Sequence, residues 1–536
     1  MSAPGQQREE TTFMKNTKRV RSASGLAGML ALLCGGMTVG CGPAPVAKDP
    51  VTGSTIKNSA GVAVSEVAAN KFKDAMAELS KHDANNDWNA GNCDSTSKAF
   101  EQAASEQGGK TFYEALYNAG LAQQRCKNDA AARKIFEGIL AKDAKFHRAR
   151  VQVALYEFRA AGGSEAGIEK AIAEMKTAIK DAEFKNVEAL VNLASLQMQR
   201  DSDQGERGCK NDFACAKLNL QRALAINDGF MPAFNQLAIY YLEAARKKAG
   251  QKKKGKRGRV SAASSRRKKV DSQALELAAL VCSQALRKNP RYAPVYNTSG
   301  LISFELGDLS AAARAFGKAR KLDALFFDAH MNYAAVNQQF RGFKRAEDAY
   351  RQALKLQPND FEAHLGLALA LRGQINDSNF DKMLKEATSE LEAAKKLQPE
   401  RAEPYYNLAI LTQEFRAREG GEAAEPILKQ AQKMFTDFVA KAGNEAVYAD
   451  GVKRAKERIE EIDQMIKFAE ETRRLEKEDA ERRKAAEKAK KEADAAKKLE
   501  ESQPKAPDAG APAGDAAAPA GGDAPAPAGG DAPQPQ

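Results

Sequence analysis

The chain has 536 residues, of which 43% are hydrophobic and 29% are charged, and its formal net charge is +12. This composition is compatible with a folded soluble body, but a single Trp, 39 Gly and an end rich in Ala, Pro, Gly and Asp exclude a chain that folds throughout. The positive charge is concentrated in residues 246–269, which hold thirteen Lys or Arg and no acid, so a broadly cationic surface is also excluded.

The N-terminal segment has the order of a secretory signal. Starting at Met14, four basic residues within 15–21 precede an apolar stretch over 26–39, and small residues and Cys41 follow. The apolar stretch has about fourteen residues and is interrupted by glycines, whereas a helix needs roughly twenty to span a bilayer. We therefore expect translation to start at Met14 and residues 14–40 to be a cleaved signal peptide.

The residues around the cleavage site resemble the lipobox of bacterial lipoproteins, with the sequence Thr38-Val39-Gly40-Cys41. The resemblance implies a lipid anchor on Cys41, with diacylglycerol on its sulfur and palmitate among the acyl chains. Gly42 is not the Asp that commonly retains such proteins in the inner membrane, so the expected place is the outer membrane, facing the periplasm, with 41–64 as a flexible tether. Thr38 departs from the usual Leu, and the alternative is an ordinary signal peptide followed by an unrelated cysteine.

An Asn- and Asp-rich segment lies between two predicted helices of a degenerate helical pair over 65–112. Asp83, Asn85, Asp87 and Asp94 stand at positions 1, 3, 5 and 12 of a calcium-binding loop pattern. Trp88 occupies the position where that loop needs a glycine for its sharp turn. The segment is thus a weak calcium-loop candidate, and the alternative is a metal-free polar loop.

A self-similarity of 34 residues is clearest over 293–326 and 327–360. The two units share a small residue at position 8, alanines at positions 20 and 27, and an aromatic residue at position 24. The residues at these positions are Gly300 and Ala334, Ala312 and Ala346, Ala319 and Ala353, and Phe316 and Tyr350. Small residues let two helices approach closely, and the aromatic ring fills the space between them. The pattern resembles the tetratricopeptide repeat (TPR) family.

Other units fit the same pattern with loops inserted between their two helices, giving eight repeats over 113–443. The resemblance implies an all-α fold, a right-handed TPR superhelix or α-solenoid. One insertion is the basic segment 246–269. It is either a disordered, solvated loop or a contact for an anionic surface, and it lacks the interleaved aromatic residues that favour nucleic acid.

A long charged helix is predicted over 444–502. Its first part has an apolar stripe suited to capping the repeats, formed by Val452, Ala455, Ile459, Ile462, Ile466 and Ala469. The later part carries acid-to-base pairs four residues apart, such as Glu487 with Lys491, which is typical of a solvated helical rod. Residues 503–536 repeat Ala, Pro, Gly and Asp and predict a disordered tail.

Partner binding in the TPR family commonly uses positions 2, 5, 9, 12 and 13 of the first helix of each repeat. The corresponding residues are Asn235, Ile239, Glu243, Asn297, Leu301, Phe304, Glu305, Met331, Gln338, Gln339, Leu365, Leu369, Arg372, Tyr406, Ile410, Gln413 and Glu414. This mixed apolar and amide set lacks the Lys and Asn residues of the carboxylate-clamp subfamily. It favours a helix or an extended segment of a partner protein.

Five cysteines remain after Cys41, and export to an oxidising compartment would allow disulfides. Cys209 and Cys215 could close a small loop, and Cys93 and Cys126 could join neighbouring helices. Cys282 is expected to be a buried small hydrophobic residue.

No Ser/His/Asp or Cys/His arrangement is present, so no enzyme, cofactor or further metal site is expected. His330 and His364 share position 4 of successive repeats, which favours packing over a two-ligand metal site. The expected function is a periplasm-facing lipoprotein scaffold of an envelope-spanning assembly, with gliding motility machinery as one candidate. The alternatives are assembly of a secretin, a pilus or outer-membrane proteins, a cell-wall or glycan-processing accessory, and a cytoplasmic RNA-associated repeat protein.

Overall fold

A computed structural model describes residues 57–58, 61–85, 87–107, 112–251, 271–417 and 424–501. The predicted signal peptide, Cys41, nearly all of the basic segment and the C-terminal tail lie outside these residues.

The described residues form nineteen α-helices joined by short loops, with two isolated β-bridges, Lys57 to Ala63 and Glu206 to Cys209. The helices are α1 Glu66–Asn85, α2 Ala90–Ser105, α3 Tyr113–Arg125, α4 Asp129–Lys142, α5 His147–Ala160, α6 Glu165–Asp181, α7 Val187–Arg200, α8 Asp212–Ile226, α9 Met231–Gln251, α10 Ser272–Lys288, α11 Ala293–Leu306, α12 Leu309–Leu322, α13 Phe327–Gln339, α14 Phe343–Leu356, α15 Phe361–Arg372, α16 Phe380–Leu397, α17 Glu403–Leu411, α18 Ala424–Ala442 and α19 Ala449–Glu501. A π-helical turn, Thr412–Arg416, extends α17.

Helix boundaries follow from local side-chain chemistry. Four helices begin after an Asn or Asp whose side-chain oxygen accepts from the backbone N–H three residues later, at 2.8–2.9 Å. These capping residues are Asn186, Asn211, Asp308 and Asp360. At the C-terminal end of α11, Gly307 adopts φ +85°, a left-handed backbone conformation that residues with a side chain rarely adopt.

Each helix packs on its neighbours in sequence, and alternate helices also touch. From α3 to α18 the helices form successive pairs, and we name the first helix of each pair A and the second B. The expected all-α solenoid of repeated helix pairs is therefore confirmed. Such a stack buries each pair only against its neighbours.

The small residues at position 8 allow the A and B helices to touch. A Cβ atom added to Gly300 would lie 2.5 Å from a ring carbon of Phe316, and one added to Gly120 would lie 2.5 Å from Phe136. Ala312 and Ala319, at positions 20 and 27, lie on the same helix as Phe316 and are fully buried. The aromatic ring at position 24 therefore packs against the glycine at position 8, as the repeat pattern predicts.

Two disulfides hold loops at the N-terminal half. Cys93 in α2 is joined to Cys126 at the end of α3, with Cα atoms 6.3 Å apart. Cys209 is joined to Cys215, which lies in α8, with Cα atoms 5.0 Å apart. Cys282 is free and buried, and burial raises the pKa of its thiol to about 12.

The chain divides into two compact units, residues 1–462 and 463–536. In the first unit, the start of α19 buries Ala455 and Ile462. In the second unit, the rest of α19 is a continuous helix with mostly exposed side chains. Among the residues that the structure describes, no helix combines the length and the apolar character needed to cross a bilayer.

Candidate functional site

The A helices contact one another directly through polar side chains. Successive A helices are separated in sequence by a B helix, yet they lie side by side. Together they form a surface to which the B helices do not contribute. We call this surface the A-helix face.

At its N-terminal end the A-helix face is linked by amides and a carboxylate. Gln124 of α3 donates to the side-chain oxygen of Gln152 in α5, at 3.0 Å. Gln152 in turn donates to Glu188 of α7, at 2.6 Å, and the Tyr117 hydroxyl donates to the same carboxylate at 3.4 Å. Three successive A helices are thus tied together.

The middle of the face continues this arrangement. The Thr298 hydroxyl of α11 donates to Asn235 of α9, at 2.7 Å, and Asn332 of α13 donates to Asn297, at 3.0 Å.

An arginine joins α9 to α11 farther along the same two helices. The Arg246 guanidinium in α9 donates to Glu243, at 2.6 Å, and to Glu305 of α11, at 3.0 Å. Its charge is therefore matched by two carboxylates at the start of the basic segment.

At the C-terminal end, Arg372 of α15 donates to Asn407 of α17, at 3.0 Å. Arg458 of α19 donates to Gln413 at 2.9 Å and to Glu414 at 2.7 Å. The start of α19 thus bonds to the π-helical turn that follows α17, and it occupies two of the predicted groove residues.

The predicted groove residues separate by accessibility. Only Gln339 is exposed. The half-buried residues are Glu243, Leu301, Phe304, Glu305, Leu369, Arg372, Gln413 and Glu414. The buried residues are Asn235, Ile239, Asn297, Met331, Gln338, Leu365, Tyr406 and Ile410. All five position-5 residues are in the buried set, so a partner would reach mainly positions 9, 12 and 13.

Sequence reasoning missed the polar residues at position 6 of the A helices. The amides among them are Asn118, Gln152, Asn192, Gln236, Asn332 and Asn407. Five of these are buried, and Asn332 is half-buried. The signal was present as an amide recurring one residue after position 5, but only the structure shows that the side chains of Gln152, Gln236, Asn332 and Asn407 bond to the preceding A helix.

Several amide atoms on the A helices have no hydrogen-bond partner within the described part of the chain. They are Gln124 Oε1, Asn192 Oδ1, Gln199 Oε1 and Asn297 Nδ2. A buried amide atom without a partner costs free energy. Gln124 and Gln199 are half-buried, and their side chains can rotate toward an added chain.

The oxygens of the calcium-loop candidate do not converge. Asp83 accepts from Trp88 Nε1 at 2.8 Å and from Arg125 Nε at 3.0 Å. Asp87 bonds His82, at 2.7 Å, and this bond lowers the pKa of its carboxyl. Asp94 accepts from Gln123, at 3.1 Å, and Asn85 is exposed at the end of α1. These partners compete with a metal for Asp83, Asp87 and Asp94.

The position-4 residues share one structural role. Tyr296, His330, His364 and Tyr405 each bond the backbone carbonyl six residues earlier, at 2.9–3.1 Å. The second ring nitrogen of His364 bonds Glu390, at 2.5 Å, and this bond raises the pKa of the imidazole. Tyrosine performs the same role as histidine, which favours packing. Within the described ranges no group of three or more potential metal ligands occurs.

Comparison with protein-family models and with curated proteins gives no match. Among solved structures, yeast Tom70 is 14% identical over 74% of this chain and 80% of that one, with a TM-score of 0.36. TTC0263, a TPR protein of Thermus thermophilus, is 22% identical over 42% of this chain and 99% of that one, with a TM-score of 0.32. YrrB, described as a TPR protein with an unusual peptide-binding site, is 19% identical over 44% of this chain and 97% of that one, with a TM-score of 0.30.

Proposed function

We propose that this chain is a non-catalytic scaffold that binds an extended or helical segment of a partner protein on its A-helix face. The observation that carries the proposal is the presence of two half-buried amide oxygens on A helices, Gln124 Oε1 and Gln199 Oε1, that have no hydrogen-bond partner within the described residues. A peptide main chain offers one donor and one acceptor per residue, which is what such amides can satisfy.

Apolar side chains complement the amides. Leu301, Phe304 and Leu369 are half-buried on A helices and can contact a partner's apolar residues. The carboxylates of Glu243 and Glu305 are already matched by Arg246, so charge attraction contributes less than shape and hydrogen bonding.

Photo-crosslinking tests where the partner binds. A crosslinking amino acid placed at Leu369 is expected to capture a protein from envelope fractions, and the same residue at Leu280, which is 51% exposed on a B helix, is the matched control. Capture at Leu280 with none at Leu369 would assign binding to a different surface.

The second part of the proposal is export and lipid anchoring at Cys41. It is supported by the signal-like order of residues 14–40, the lipobox-like sequence and the two disulfides, which persist in oxidising compartments. We expect wild-type chain in the outer-membrane fraction with a lipid adduct on Cys41, and Cys41→Ala chain without the adduct. Unlipidated wild-type protein in the cytosol would contradict the anchor.

We further propose that the scaffold serves an envelope-spanning assembly, with gliding motility machinery as the first candidate and secretin, pilus or outer-membrane-protein assembly as the others. The basic segment 246–269 is proposed to contact an anionic membrane or wall surface. Deletion of 252–269, which keeps Arg246 and its two carboxylates, is expected to weaken sedimentation with anionic vesicles and to leave capture at Leu369 unchanged. Unchanged sedimentation would make the segment a solvated loop.

A further inference from the structure

The second compact unit carries an exposed stripe that the proposed function does not use. Four large apolar side chains in this part of α19 are exposed: Met465 by 51%, Phe468 by 74%, Leu475 by 50% and Leu499 by 70%. The first three form the stripe, and Leu499 lies outside it near the end of the helix. They lie on a continuous helix whose other side chains are almost all charged or alanine. A row of exposed apolar side chains along one face of a helix is typical of an interaction surface, whereas apolar residues scattered singly are not.

The stripe has a coiled-coil period. Steps of three and four residues alternate along it without interruption, which keeps one seam on one side of a helix. The seam consists of Met465, Phe468, Thr472, Leu475, Asp479, Arg482, Ala486, Ala489, Ala493 and Ala496. It is about 48 Å long at the rise of an α-helix.

The seam is complementary to itself when reversed. Its large residues all stand in the first half and its alanines all stand in the second half. An antiparallel copy related by a two-fold axis between residues 480 and 481 puts each large residue opposite a small one. The facing pairs are Met465 with Ala496, Phe468 with Ala493, Thr472 with Ala489, Leu475 with Ala486, and Asp479 with Arg482.

The charged residues of the seam also favour the antiparallel direction. In the antiparallel pair Asp479 of each copy faces Arg482 of the other, and the two residues already form an ion pair of 3.3 Å within one helix. A parallel pair in register would instead face Asp479 with Asp479 and Arg482 with Arg482. Like charges at a helix–helix seam disfavour that arrangement.

The residues beside the seam are compatible with this pairing. On one side Glu476 stands opposite Arg483 of the other copy. On the other side Glu471 stands opposite Glu492, but each has a cation on its own helix, Arg474 at 3.4 Å and Lys488 at 3.9 Å. The local charge is therefore balanced on both sides.

We propose that residues 465–496 form an antiparallel two-stranded coiled coil with a second copy of this chain. The pairing makes the scaffold a dimer, and it depends on neither the A-helix face nor lipid on Cys41.

Charge exchange tests the interface. We expect sedimentation of the full chain carrying Cys41→Ser to show a monomer–dimer equilibrium. Asp479→Arg or Arg482→Asp alone should weaken the dimer about tenfold or more, and the double exchange D479R/R482D should restore it to within about threefold. These side chains are 63% and 74% exposed, so the variants are expected to fold, which circular dichroism checks.

Engineered cysteines test the direction. In the antiparallel pair a chain with Leu475→Cys forms a disulfide with a chain that has Ala486→Cys, and neither variant links to itself. In that pair the two copies of position 475, and likewise those of position 486, lie about 16 Å apart along the helix axis, too far for a disulfide. A chain that stays monomeric up to about 100 μM, a dimer unaffected by the single charge changes, or self-linking of each variant would each overturn the proposal.

Discussion

At the scale of single residues, the closeness of A and B helices depends on glycines that meet an aromatic ring. Gly300 and Phe316 illustrate this, because the ring occupies the volume in which any side chain at position 300 would start. The repeat pattern identifies such glycines, but their importance depends on what lies opposite. Gly138, in the middle of α4, has nothing within 4 Å of an added Cβ atom.

These two glycines should respond oppositely to alanine. We expect Gly300→Ala to lower the free energy of unfolding by about 1–3 kcal/mol because the Phe316 ring must shift. Gly138→Ala should raise it by about 0.5–1 kcal/mol, since alanine restricts the unfolded chain and favours the helix. Denaturant unfolding of both variants measures the difference, and equal effects would refute the close contact at Gly300.

His147 should make the fold sensitive to acid. Its Nδ1 accepts from Asn186, at 2.9 Å, while the Asn186 side-chain oxygen is held by the Ala189 N–H that it caps. Burial, with a further contribution from Arg148, lowers the pKa of His147 to about 4. Protonation therefore favours the unfolded chain.

Stability is expected to fall as pH decreases from the ordinary histidine value of 6.5 toward 4. His147→Gln should flatten this part of the pH dependence of Tm. His364→Gln is the matched control because hydrogen bonding to Glu390 raises the pKa of that imidazole, and its contribution is instead lost as pH rises. Identical acid profiles for wild type and His147→Gln would contradict the assignment.

At the scale of elements, the start of α19 protects the last helix pair. Arg458 bonds both Gln413 and Glu414 in the π-helical turn that follows α17. An unclosed repeat end would leave its helices exposed on one side.

Arg458→Ala is expected to raise hydrogen exchange in the Thr412–Arg416 turn and to cost about 1–3 kcal/mol, the usual range for bonds to charged groups. Lys453→Ala, at a side chain that is 78% exposed on the same helix, should change neither. Hydrogen-exchange mass spectrometry measures the protection of the turn in both variants. Equal protection in the two variants would show that α19 caps α17 by apolar packing alone.

At the scale of the whole molecule, the order of contacts along the chain limits how far a local change can spread. Within the part of the chain that the structure describes, the extensive helix–helix contacts join neighbours or next neighbours in sequence. Stability in such a stack is close to a sum of pair and interface contributions, and different regions can open separately.

Removal of the Cys93–Cys126 disulfide tests this. We expect the double variant Cys93→Ser, Cys126→Ser to exchange faster in α1–α4 and to leave α13–α16 at wild-type protection, because no direct contact connects these regions. The corresponding pair Cys209→Ser, Cys215→Ser should affect α7 and α8 instead. Uniform loss of protection along the chain would indicate one cooperative unit.

Sequence alone determined the fold class, because residues at positions 8, 20, 24 and 27 carry the helix-to-helix contact within each repeat. The reversed complementarity of the α19 seam is also a property of residue order, but it lies in the part of the helix for which the acid-to-base pairs predicted only a solvated rod. Tertiary structure decided which groove positions are accessible: it buried position 5 in contacts between A helices, where position 6 amides such as Asn332 also bond. Tertiary structure also decided that the Asp83 carboxylate accepts hydrogen bonds from Arg125 and Trp88. Arg125 comes from another helix, and a pattern along one segment does not contain such a partner.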